Sequence, residues 1–113
     1  MAILPLIGET DVITFTPATA SGDEFDNAKG VSGLQIWNQS GGALRVEFIE
    51  QRDCNFGEKG VHVTRIVTVA AGAKTRIPRF QIWRYNNSSD RVQMIYPDGV
   101  ASLSLAALDR PCL

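Results

Sequence analysis

Apolar and polar residues alternate with period two along most of the chain. No stretch of helical length keeps apolar residues at i, i+3, i+4 and i+7 without a Gly, Pro or β-branched interruption. Alternation sends successive side chains to opposite faces of an extended backbone, so it predicts half-buried strands. Leu44, Val46 and Phe48 fall on one face, with Arg45 and Glu47 on the other, which predicts a strand over residues 43–50 with its apolar side in the core. Val61, Val63, Val67 and Val69 share a face with Arg65, making 61–69 the longest predicted strand. Val92, Met94 and Tyr96 alternate within 91–96. Shorter runs at 12–15, 34–38, 74–77, 80–85 and 100–108 complete the set, with Leu103 and Leu105 as further core.

Turn chemistry separates these runs. Ser40-Gly41-Gly42, Ala70-Ala71-Gly72-Ala73, the polar residues 86–90 and Pro97-Asp98-Gly99 each punctuate the pattern. Pro17 stops the first strand, and Pro78 confines 74–77 to an edge or ends it. Seven or eight short strands with such spacing predict an all-β fold, an antiparallel β-sandwich of jelly-roll or immunoglobulin-like type. Residues 18–32 and 51–60 read as long loops, which in a compact domain are commonly functional. Residues 1–11 read as an N-terminal arm, of which the apolar stretch 1–8 is expected to pack against a partner chain. Residues 12–113 read as one domain.

Composition narrows the function. Of 113 residues, 44% are apolar and 20% charged, a balance that supports a folded core rather than disorder. Eleven basic against 12 acidic residues leave a net charge of -1. The basic residues are scattered, so nucleic acid is not an expected partner. The N-terminal stretch lacks the basic start and long apolar run of a signal peptide, and no stretch has the length of a membrane span. Cys54 and Cys112 form no CxxC, and they read as reduced thiols of a protein made in a cytoplasm; a single bridge between them stays open.

Catalytic chemistry finds no foothold. His62, the one histidine, sits in a predicted strand between valines and reads as an outward-facing residue. Asp23, Glu24 and Asp26 suggest calcium, but counting from Asp23 an EF-hand loop needs Gly at the position of Ala28 and Glu at that of Leu34. Gly41-Gly42 precedes a strand, not a helix, so it is no phosphate cradle. No catalytic, metal or cofactor residues are therefore assigned, and the chain is expected to bind rather than catalyse. Trp37, Phe80, Trp83 and Tyr85 are the main aromatic resource, with core packing the default and stacking on sugars or a protein interface the alternatives. The expected partner-binding residues are Asp23, Glu24 and Phe25 of the first loop, Arg52 and Phe56 of the second, and Arg79 and Arg84. These groups combine aromatic anchors with charge of both signs, as interfaces do.

The order of several short motifs adds a resemblance. Phe15-Thr16-Pro17-Ala18-Thr19-Ala20-Ser21-Gly22-Asp23-Glu24-Phe25-Asp26-Asn27 leads to a Gly and a β segment. Trp37-Asn38-Gln39-Ser40-Gly41-Gly42-Ala43 precedes an alternating strand, and Gln51-Arg52-Asp53-Cys54-Asn55-Phe56-Gly57 follows it. Then come Val67-Thr68-Val69-Ala70-Ala71-Gly72-Ala73, Ile77-Pro78 and a closing Val-x-x-Leu-x-Leu-Ala-Ala-Leu. From Phe15 onward the chain resembles small all-β virion-associated proteins of tailed bacteriophages, departing from them at residues 86–90 and in the tail 109–113. The resemblance implies a head decoration or cement role on the capsid surface. The implied partners are the major capsid protein and further copies of the chain, as a dimer or trimer, with no nucleic acid and no membrane. The alternatives are a carbohydrate-binding or host-adhesion module, which would display two or three coplanar aromatics on an open face, and another head or tail component.

Overall fold

The computed structural model describes residues 1–8, 11–51 and 64–109. Two sheets pack face to face. Sheet A runs β1 (Ala2–Ile3), β4 (Asp23–Asp26), β9 (Arg91–Ile95), β6 (Leu44–Ile49) and β7 (Thr64–Val69). Sheet B runs β2 (Leu6–Ile7), β10 (Leu103–Leu108), β5 (Gly33–Asn38) and β8 (Lys74–Ile77), and β3 (Thr16–Pro17) also pairs with β10. The long ladders are antiparallel, while β1–β4 and β2–β10 are parallel, so each sheet is mixed rather than purely antiparallel. One helical turn, α1 (Ile82–Tyr85), interrupts the strands.

The core lies between the sheets and follows the alternation. Sheet A contributes Phe25, Val46, Phe48, Val69, Val92 and Met94, and sheet B contributes Leu34, Ile36, Ile77, Leu103 and Leu105. Val46 and Phe48 are fully buried, and Leu44 packs partly buried against them, as predicted. Asn38 joins the layers: its Nδ2 donates to the Val69 carbonyl of the opposite sheet at 2.9 Å and to the Gly42 carbonyl at 2.8 Å. Its Oδ1 accepts from Ser40 N at 2.9 Å, so a buried amide also shapes the turn after β5.

Four expectations are corrected. Residues 18–32 are not all loop, since β4 lies within them and Phe25 is core. Its acids hide the strand: Asp23 turns inward, Glu24 faces Arg91 and Gln93, and only Asp26 is exposed. Residues 12–15 form no strand; pairing begins at Thr16–Pro17, where a proline needs no outward partner. Residues 80–85 turn instead of extending. An extended segment would send Phe80 and Tyr85 to opposite faces, whereas the turn buries both, 5.2 Å apart and edge-on. The N-terminal segment expected to seek a partner chain is used within its own chain. β1 enters sheet A and β2 enters sheet B, and Leu4 between them is buried. Gly22 permits the close approach of β4 to β9: at φ +102° a Cβ there would lie 2.8 Å from the Met94 carbonyl.

Candidate binding surface

One corner of the sandwich is built by two segments with little regular structure, residues 27–32 and 78–86. Asn27 ties them together. Its buried side chain donates to the Phe80 carbonyl at 2.9 Å and to Asn86 Oδ1 at 2.8 Å, and accepts from Ser32 N at 3.2 Å. Asn86 returns a bond from Nδ2 to the Asn27 carbonyl at 2.9 Å, and Asn27 N donates to the Asp90 carbonyl. Beneath this knot, Phe80 meets Phe25, Phe48 and Tyr85 at centroid distances of 5.3, 5.1 and 5.2 Å, and all four rings are fully buried. The corner is therefore anchored by a polar knot above and an aromatic cluster below.

With Phe80 and Tyr85 pointing inward, the turn between them must point Ile82 and Trp83 outward. They are 45% and 66% exposed, an adjacent apolar pair at the tip of the corner. Ile82 rests on Gly30, where a Cβ would come within 2.9 Å of its side chain and where φ is +69°, so the site calls for glycine. Lys29, Gly30, Arg79, Gln81, Ile82 and Trp83 line an open depression of about 380 Å³. Arg79 is held there by its Nε donating to the Gly30 carbonyl at 2.8 Å. The tip thus sets an aromatic beside an aliphatic residue and two cations, a combination found in docking surfaces.

The structure distributes the sequence-predicted binding residues. Arg79 lies on the rim of the tip. Arg84 lies at its base, where the guanidinium donates to Glu50 through Nε at 2.7 Å and through Nη2, and sits 5.2 Å from the Tyr85 ring. The hydrogen bond to buried Glu50 raises the pKa of Arg84 above its ordinary value. Phe25 is interior, beneath Phe80. Asp23 is interior too, accepting from Thr19 N at 2.9 Å and from the Tyr96 hydroxyl. Glu24 pairs with Arg91 at 3.0 Å. Arg52 and Phe56 lie outside the described residues, as do His62, Cys54 and Cys112. The sequence reading missed Ile82, Lys29 and Gly30, while Asn27 closed the first loop expected to bind a partner. The available signal was the pair of large aromatics at 80 and 85 just after Pro78, a spacing that a strand cannot bury on one side.

Elsewhere the aromatic rings are enclosed or tilted. Phe15 meets Trp37 at 5.3 Å and 64°, with Lys74 Nζ 4.4 Å from the Trp37 ring centre. Close aromatic pairs among the described residues have interplanar angles of 49° to 83°, so none is coplanar. Among the described residues, no three or more His, Cys, Asp or Glu side chains group as metal ligands, and no helix is long and apolar enough to cross a membrane. Comparison with protein-family models, curated proteins and solved structures gives no match for this chain.

Proposed function

We propose that the chain is a structural protein of a tailed-bacteriophage virion, a decoration or cement protein that docks on the major capsid protein through the Ile82–Trp83 corner. One observation carries the reading: the fold withdraws Phe25, Phe48, Phe80 and Tyr85 into the core yet projects Ile82 and Trp83 from a corner rigidly tied by Asn27. A large rigid aromatic with an aliphatic neighbour and a cationic rim is the usual anatomy of a binding hot spot. Anchoring the tip from below reduces the entropy lost on docking. Many identical copies on a symmetric shell then add avidity to a modest single contact. A carbohydrate-binding module would stack a sugar on coplanar rings, and the tilted ring pairs favour the protein interface over that alternative.

Two measurements test the reading. Antibodies raised against the purified chain should label the heads of phage particles carrying its gene in electron micrographs. Particles that contain none of the chain would overturn it. In co-sedimentation with heads stripped of the chain, Trp83→Ala should weaken binding by about thirtyfold, as loss of a hot-spot residue does. Unchanged binding by both Trp83→Ala and Ile82→Asp would remove the corner from the interface.

A further inference from the structure

Three arginines of the sandwich each hold a carboxylate. Arg45 pairs with Asp98 at 2.8 Å, Arg91 with Glu24 at 3.0 Å, and Arg84 with buried Glu50. Lys74 lies 4.4 Å from the centre of the Trp37 ring. Lys29 and Arg79 differ. Both are exposed, neither is paired with an acid among the described residues, and both line the depression beside Ile82 and Trp83. No acid lines that depression, whose remaining walls are Gly30 and Gln81. Asp26, close to Lys29 along the chain, is engaged locally, where its Oδ1 accepts from Ala28 N at 3.0 Å.

Arg79 is also set in direction. Its Nε donates to the Gly30 carbonyl at 2.8 Å, which occupies the edge of the guanidinium that uses Nε. Nη1 and Nη2 make no hydrogen bond among the described residues. These two nitrogens form the end-on fork that a planar carboxylate meets with two parallel bonds. A fixed fork, a second cation and an exposed apolar pair therefore share one small surface that lacks its own counter-charge.

We propose that this corner takes an acidic segment of a partner polypeptide, with an Asp or Glu carboxylate on the Arg79 fork, Lys29 beside it, and a neighbouring aliphatic side chain against Ile82 and Trp83. The inference rests on the corner being the docking surface of the proposed function, and it adds the chemistry of what docks. At about 380 Å³ the depression is near the lower end of binding-pocket volumes, so it receives a few side chains rather than a folded element. Nucleic acid fits less well. A phosphate backbone needs a track of cations, whereas Arg84 at the base of the tip is already held by Glu50 and the net charge of the chain is -1.

Selection of a random short-peptide library, displayed on yeast, against the purified full chain tests the proposal. Peptides with Asp or Glu next to Leu, Ile or Val should be enriched. The best of them, synthesised, should move the Gly30 amide and Trp83 indole signals in NMR correlation spectra. Replacing its acids by Asn or Gln should weaken binding about tenfold or more. Arg79→Gln should raise the Kd of the acidic peptide by a similar factor, with the fold intact by circular dichroism. Lys29→Glu, at an exposed side chain, should weaken the acidic peptide and favour a counterpart carrying Lys in place of the acid. Arg76→Gln on β8 should change nothing. A selection that enriches no acidic peptides, signal changes confined to other surfaces, binding indifferent to both Arg79→Gln and Lys29→Glu, or tighter binding of an oligothymidylate than of the peptide would overturn the proposal. None of these measurements uses a phage particle, so the two readings fail separately. Particles without the chain would leave the acidic-segment site standing, and labelled heads together with a chain that ignores acidic peptides would overturn that site alone.

Discussion

Phe80→Ala should be among the most damaging single changes in this protein, although Phe80 belongs to no strand. Its ring is fully buried and touches Phe25, Phe48 and Tyr85, so it joins sheet A to the helical turn. Returning a buried Phe ring to Ala forfeits roughly 2–3 kcal/mol of transfer free energy. A residual void of about 60 Å³ would add about 1.5 kcal/mol. The expected loss is therefore about 4 kcal/mol, a large part of the roughly 5–15 kcal/mol that holds a small domain folded. At about 4 °C per kcal/mol the melting temperature should fall by about 15 °C. Urea unfolding followed by tryptophan emission should show a lower midpoint with an unchanged slope, because the same surface is exposed on unfolding. Phe80→Leu keeps most of the volume and should lose only about 1.5 kcal/mol. A loss below about 1.5 kcal/mol for Phe80→Ala would refute the view that this ring anchors the corner.

Asn27→Ala removes the bonds to Phe80, Asn86 and Ser32, leaving buried backbone groups without partners. It should cost about 2–3 kcal/mol, and the Ser32 amide, which loses its acceptor, should exchange faster than in the unmodified chain; unchanged exchange would show the knot is dispensable. Burial and the hydrogen bond to Asp23 push the Tyr96 phenol well above its ordinary range. A phenol whose folded pKa exceeds its unfolded value contributes fully below about pH 10 and loses that contribution as pH climbs further. In a Tyr85→Phe background, tyrosinate absorbance should therefore appear only together with alkaline unfolding, and a separate earlier absorbance rise in the folded protein would contradict the burial of Tyr96.

Strands that alternate cleanly were legible in the sequence. Leu44, Val46 and Phe48 lean toward the core, and Val92, Met94 and Tyr96 do the same, because one face of each strand meets the other sheet and the opposite face meets water. β4 was illegible for a physical reason. Asp23 is a buried acid whose Oδ2 accepts from Tyr96 and Thr19, partners 73 and four residues away, and no local pattern announces the more distant one. Residues 80–85 look like a strand because their composition is β-rich, and the turn wins only because Phe80 and Tyr85 both find room in the core. Of the candidate site, Arg79 was legible as a charge near aromatics. The outward direction of Ile82 and Trp83 was not, since it follows from the turn.

The first seven residues lace the two layers together, and this has a kinetic consequence. Ala2 lies opposite Asp23, but Leu6 lies opposite Ala107, so the second half of the lace waits for a strand made almost a whole chain later. Closing so long a loop is entropically costly, and contacts of high sequence separation slow folding. The sheets can collapse around β5, β6 and β9 before the lace is drawn. In that interval the edge of β10 that β2 will cover stands open, and so does the edge of β4 awaiting β1. The nascent chain thus passes through a stage more prone to aggregate than its finished form, and removing residues 1–7 would make that stage permanent. Turbidity during refolding of the shortened chain, against the clear refolding of the whole one, measures how much protection those few residues confer.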